Sequence, residues 1–154
     1  MLGYAATTNF AITLAALGAA SARESTAIDW ATDYKHDDCM LQFRFGSSLG
    51  TTAADKAVYV WFYGSADGTN YTEPATGSDA AITIGTNHNL FGPFVVALAA
   101  GQTNYDVCIP SVAQFFGGLL PKKWGVVVEN QCNGALYNTE ANYLKWLTPV
   151  FITT

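Results

Sequence analysis

The residues that crowd the most chemistry into the fewest positions are Asp33, His36, Asp37 and Asp38, in the connector ATDYKHDD over 31–38. An imidazole beside three carboxylates has the groups to share a proton or to ligate a metal. No helical periodicity puts these side chains on one face, and no second histidine is near, so a solvated loop is the expectation. His88, in the turn Asn87-His88-Asn89, is expected to be exposed. Glycoside hydrolysis requires two carboxylates facing each other across a cleft. Glu24, Glu73, Glu129 and Glu140 have the right side chain, but their spacing singles out none of them. The glycines of GSADG and FGG match neither GxGxxG nor GxxxxGK, so no phosphate loop is indicated. Asp67-Gly68-Thr69-Asn70 gathers oxygen atoms of the kind calcium takes, yet an Asp-Gly turn uses the same residues for backbone reasons. Cys39, Cys108 and Cys132 are odd in number and widely spaced, with no CxxC pair and no adjacent His to activate a thiolate. They are expected as buried free thiols. No enzyme activity, metal or cofactor is therefore expected. Tyr4, Tyr34, Tyr71, Tyr105, Tyr137 and Tyr143 fall near the ends of expected strands. There a ring can stack on a sugar, although packing is its commoner use.

Composition says what kind of molecule must position these groups. The 154 residues are enough for one domain with its own core. Half are hydrophobic, 14% aromatic and only 12% charged, against about 25% charged in an average soluble domain. A surface so poor in charge is either neutral-polar or covered by partners, which fits a member of an assembly better than a freely diffusing enzyme. With net charge −5 and two arginines, Arg23 and Arg44, beside five lysines, no basic patch for nucleic acid can be built. No apolar run approaches the roughly 18 residues of a membrane span. The N-terminal stretch has an Ala-Ser-Ala sequence at 20–22 but no Lys or Arg before Arg23, so a cleaved signal is not expected.

The densest β-forming run is Val58-Tyr59-Val60-Trp61-Phe62-Tyr63, followed by the turn GSADGTN and a short return at Tyr71-Thr72. Cys39–Phe45 alternates cleanly, with Cys39, Leu41, Phe43 and Phe45 on one face and Met40, Gln42 and Arg44 on the other. Further strands are expected at Asn9–Leu17, Ala27–Trp30, Ala80–Ile84, Leu90–Leu98, Asn104–Ile109, Lys122–Asn130 and Tyr143–Thr153. Pro93 marks an edge or a bulge, and Pro149 interrupts the last strand. Gly18–Thr26 and Gly46–Asp55 are expected as loops, Ser111–Phe116 as one helical turn, and Asn133-Gly134 as a hairpin turn leading into Ala135–Tyr137. The sum is an all-β, single-domain β-sandwich, jelly-roll-like, with eight to ten short antiparallel strands over residues 9–154. Residues 1–8 form a candidate N-terminal arm that orders on a neighbour.

Three stretches, AITLAALGAASARESTAID, DKAVYVWFYGSADGTNYTEPATGSDAAITI and FFGGLLPKKWGVVVENQCNGALY, together resemble a group of tailed-bacteriophage head-associated structural proteins of similar length. The likeness is one of pattern, in the same order from about Ala11 to Tyr137, and carries no catalytic motif. It implies a small β-fold on the capsid surface of the virion, a decoration or cement protein bound to the major capsid protein. It implies a homo-oligomer as well, a trimer at local three-fold positions being favoured. The alternative is a carbohydrate-binding β-sandwich module on a phage or cell surface, with GSADGTNYT resembling the turn of discoidin-like modules. A sandwich strand needs only one buried face. Val58, Val60 and Phe62 suit the core, so Tyr59, Trp61 and Tyr63, with Tyr71, are the expected interface residues.

Overall fold

Period-two alternation builds the first sheet. Cys39, Leu41, Phe43 and Phe45 are fully buried, while Gln42 between them is exposed. The structure is a computed structural model, and it describes residues 1–46, 57–98 and 104–152. It holds eleven strands: β1 (Leu2–Tyr4), β2 (Thr8–Asn9), β3 (Ser21–Glu24), β4 (Ile28–Asp29), β5 (Asp38–Phe45), β6 (Ala57–Ser65), β7 (Ala80–Ile82), β8 (Phe91–Ala97), β9 (Tyr105–Ile109), β10 (Lys123–Asn130) and β11 (Leu144–Ile152). One sheet has the order β1-β11-β5-β9, with β2 also on β11. The other has the order β7-β3-β10-β6-β8, with β4 also on β10. All pairings are antiparallel.

The pairing pattern identifies the topology. The first strands pair with the last, β1 and β2 with β11. The next pair with the next to last, β3 and β4 with β10. β5 then pairs with β9, and β6 with β8. A long hairpin rolled up in this way is a jelly roll, and an immunoglobulin-like order is excluded. β6 and β10 lie side by side at the centre of one sheet, with Val60 opposite Val128 and Phe62 opposite Val126. β5 lies in the facing sheet, and the aromatic and aliphatic side chains of both inner faces form one core. Within it Phe43 and Phe45 stack at 5.1 Å, and Phe62 stacks on Phe115 at 4.3 Å. That second contact comes from the helical turn Ala113–Phe116, which ends at Gly117 in the left-handed region, φ 75°.

Several expectations are corrected. Asn9–Leu17 is not a strand beyond Asn9. Phe10, Ile12 and Leu14 do alternate into the core, but the Leu14 and Ala15 amides bond to the Glu140 carboxylate instead of to a ladder. The loop expected at Gly18–Thr26 contains β3, because Arg23 and Glu24 are held by partners. Glu24 is buried and accepts from the Thr76 amide and hydroxyl and the Gly77 amide. Tyr71-Thr72 forms no return strand: Thr72 folds back to β6 through two bonds with Gly64. Asn133-Gly134 starts no hairpin, since Leu136 and Tyr137 bond to Leu17 and Ala16. Asn130 organises that crossing. Its buried Nδ2 lies 2.9–3.0 Å from the Leu17, Gly18 and Gly134 carbonyls, and its Oδ1 accepts from the Cys132 amide. β11 runs through Pro149 without a break. Residues 1–8, expected as a candidate arm that orders on a neighbour, hold β1 and the first residue of β2, and both strands pair with β11 of the same chain. The loop expected at Gly46–Asp55 lies outside the described residues from 47 on. Pro93 sits on an edge strand, opposite a register shift between Val60 and Phe62.

Candidate functional site

The residues that drew attention for their chemistry are mostly spent on the fold. Asp38 Oδ1 accepts from the amides of Cys39 and Ala113, and Asp37 Oδ2 from the Ile152 amide. The His36 ring lies against Phe151, and its carbonyl accepts from the Trp30 indole. Asp33 stands on the helical turn Trp30–Tyr34 and is exposed. Among the described residues no three His, Cys, Asp or Glu side chains gather at a metal-binding distance. Asp67 is saturated. Its Oδ1 accepts from the amides of Asn70 and Thr69 and from Ser65, and its Oδ2 from the Asn70 side chain. The amide bonds from Asn70 and Thr69, then the two side-chain bonds, hold this carboxyl well below the usual range. Its lone pairs are turned to N–H and O–H donors, which is how an Asx turn is fastened.

The four glutamates do not converge. Glu24 is buried under Thr76, and Glu140 bonds Lys145 and the Leu14 and Ala15 amides. Glu129 accepts from the Trp61 indole at 2.8 Å and from Gln131, while Glu73 is exposed on the connection between β6 and β7. None of the cysteines is in a disulfide. Cys39 and Cys132 are buried as expected, but Cys108 is exposed because it stands on the outer face of β9, opposite Gln42. Burial, and then the Asp38 charge, push the Cys39 thiol far above its ordinary value.

The outward face of β6 is divided in two. The connection from β6 to β8 folds back over part of it and makes a second small core around Ala22, Tyr63, Leu90 and Val127. Tyr63 is 0% exposed. Its hydroxyl donates to the Ser25 carbonyl at 2.6 Å, and Tyr71 covers it edge-on at 5.7 Å. Gly125 opposite leaves the room its ring needs. Tyr63 is therefore removed from the exposed face, because a segment of the same chain fills the place a partner would take. Tyr59 and Trp61 remain half-buried at the surface. Trp61 is flanked edge-on by His88 at 4.7 Å and Tyr59 at 6.4 Å, with the exposed Val95 of β8 opposite Tyr59.

The outward face of the other sheet carries several of the exposed large apolar side chains, and no local pattern in the sequence marks it. β11 turns Leu147 into the core, so Trp146, Thr148, Val150 and Ile152 face outward by alternation, with Val150 nevertheless buried at 8% exposure. At one end Ile152 stands opposite Leu2, and Val150 opposite Tyr4. Ile152 is 68% exposed, Tyr4 58% and Leu2 55%. β1 is the last strand of its sheet, and no described strand pairs with its outer edge. At the other end Trp146 lies in a shallow groove of about 440 Å³ lined by Thr7, Thr8, Asn9, Gln42, Trp146 and Thr148. The remaining candidate tyrosines are engaged. Tyr34 stacks on Trp30 at 4.9 Å, Tyr105 is buried, and Tyr137 and Tyr143 meet edge-on at 6.0 Å. Among the described residues no helix is long and apolar enough to cross a membrane. Comparison with protein-family models, with curated proteins and with solved structures finds no match.

Proposed function

We propose that the chain is a non-enzymatic virion protein that decorates or cements the head of a tailed bacteriophage. It would bind the major capsid protein through its open sheet edge and assemble as a homo-oligomer, with a trimer favoured. One observation carries this reading beyond the sequence resemblance. Leu2, Tyr4 and Ile152, three of the most exposed large apolar side chains, cluster at β1, whose outer edge has no strand partner among the described residues. A hydrophobic edge strand is a template for another chain unless a protein blocks it with charge, proline or a covering element. Here no charged residue stands on β1, and the chain has few charges to spare. Strand addition supplies affinity through main-chain bonds and specificity through the side chains beside them. Tyr59, Trp61 and Val95, on the opposite face, offer a second patch for contacts between copies, with Tyr71 bordering it.

The test is co-sedimentation of the purified chain with heads assembled without it. Wild type should pellet with heads and raise their melting temperature. Ile152→Asp and Tyr4→Asp should fold, because both side chains are already in water, and should stay in the supernatant. A chain that remains monomeric at high concentration and ignores such heads would overturn the proposal.

A further inference from the structure

Three directly opposed residues cross the open face of the β1-β11-β5-β9 sheet. Trp146 on β11 is in register with Asn9 of β2 on one side and with Gln42 of β5 on the other. Opposed side chains on one face of an antiparallel pair stand about 5 Å apart at Cβ, so the three form a continuous row of amide, indole and amide. All three are exposed, Trp146 to 39%. Among the described residues neither the Asn9 nor the Gln42 side-chain amide is spent on another protein group. The groove walls are hydroxyls held in fixed positions. Thr7 and Thr148 share a hydrogen bond of 2.7 Å, and Thr8 shares one of 3.1 Å with Tyr34. No charged residue lines the groove.

We infer that this groove is a binding site for a neutral saccharide. An indole left exposed in a sheet face is costly in water and offers an apolar plate to the C–H face of a pyranose ring. Each carboxamide presents two donors and an acceptor, which matches vicinal sugar hydroxyls that both give and accept. Fixed threonine hydroxyls extend the same pattern without charge, so the ligand has no charge to neutralise. A volume of about 440 Å³ lies in the range of roughly 300–1,000 Å³ typical of small-ligand sites, and its open form suits a short oligosaccharide laid across three strands. The site does not depend on the capsid reading. Trp146 is four residues along β11 from Val150, which stands opposite Tyr4, and six from Ile152, about 13 and 20 Å at the usual rise, so the groove lies beside the β1 edge and shares no lining residue with it.

The experiment is a printed array of neutral and acidic glycans probed with the full chain. Titration calorimetry with maltotriose, cellotriose, mannotriose and triacetylchitotriose follows. At least one neutral glycan should bind saturably. Trp146→Ala should weaken it about tenfold or more, and Asn9→Ala and Gln42→Ala about three- to tenfold each. Trp61→Ala should leave it unchanged. Circular dichroism confirms that each variant is folded, and Trp146→Ala should still pellet with phage heads, which separates failure of the groove from failure of the capsid proposal. No saturable signal across the array, a preference for acidic glycans, or affinity that survives Trp146→Ala in a folded protein would each overturn the inference.

Discussion

Tyr63 and Trp61 lie two residues apart on the same face of β6, yet the fold gives them opposite roles, and truncating each in turn measures the difference. Tyr63 is fully buried in the second core, with its hydroxyl on the Ser25 carbonyl. Removing a large buried aromatic side chain costs about 3–5 kcal/mol. For a domain of this size each kcal/mol moves the melting temperature by about 2–4 °C, so Tyr63→Ala should melt about 6–20 °C below wild type. Tyr63→Phe keeps the ring and loses one buried hydrogen bond, which costs about 1–2 kcal/mol. Trp61 is only half-buried, and Trp61→Ala should cost about 1–2 kcal/mol of folding stability through lost partial burial. Its larger effect should fall on self-association. Urea unfolding gives the stabilities, and light scattering after size exclusion gives the oligomer. If Tyr63→Ala unfolds with wild-type stability but loses assembly, Tyr63 is an interface residue after all and the second core is wrongly assigned.

Three further outcomes follow from single contacts. Asn130→Ala removes the buried amide that joins three carbonyls at the crossing of 16–18 with 134–137, and should cost about 1–3 kcal/mol in urea unfolding because three half-buried carbonyls and the Cys132 amide lose their partner at once; a loss below about 0.5 kcal/mol would contradict this. For Asp79, burial raises the carboxyl, but the hydrogen bonds from Arg23 and Thr13 and the Arg23 charge outweigh it and leave it below its ordinary value. A depressed folded value stabilises the protein above the unfolded carboxylate value of about 3.9, and that contribution is lost as pH falls through the lower folded value. The melting temperature should therefore hold from pH 7 to about pH 5 and drop below about pH 4, with a shallower drop in Asp79→Asn. A thiol reagent at pH 8 should modify Cys108 rapidly in the native chain and reach Cys39 and Cys132 only in denaturant, since the buried Cys39 thiolate is strongly disfavoured; fast native labelling of Cys39, read by peptide mapping, would contradict the placement.

What the sequence made legible was set by local pattern. The alternation of Cys39–Phe45 and the β-rich run from Val58 located β5 and β6, and the parity of β6 put Val58, Val60 and Phe62 in the core. Tyr63 was misplaced because its cover comes from residues 71–90, which return to β6 through bonds such as Thr72 to Gly64 rather than through a ladder. β3 was hidden because Ser21–Glu24 carries an Arg and a Glu whose partners, Asp79 and Thr76, are more than fifty residues away. The open face of the other sheet was harder still. Alternation about Leu147 could have turned Trp146 outward, but nothing local pairs Trp146 with Asn9 and Gln42, since register between distant strands is fixed only when the roll closes. The pairing of β1 leaves no mark in the sequence, because three paired residues are too few for a periodic signal.

The most direct measurement is a cryo-electron-microscopy reconstruction of phage heads assembled without the chain, compared with the same heads after the purified chain is added. Added density of sandwich shape on the outer surface, with the Leu2–Tyr4 edge and Ile152 turned to the capsid lattice, is the result expected of a decoration protein. Heads unchanged at saturating concentration of the chain would contradict that assignment.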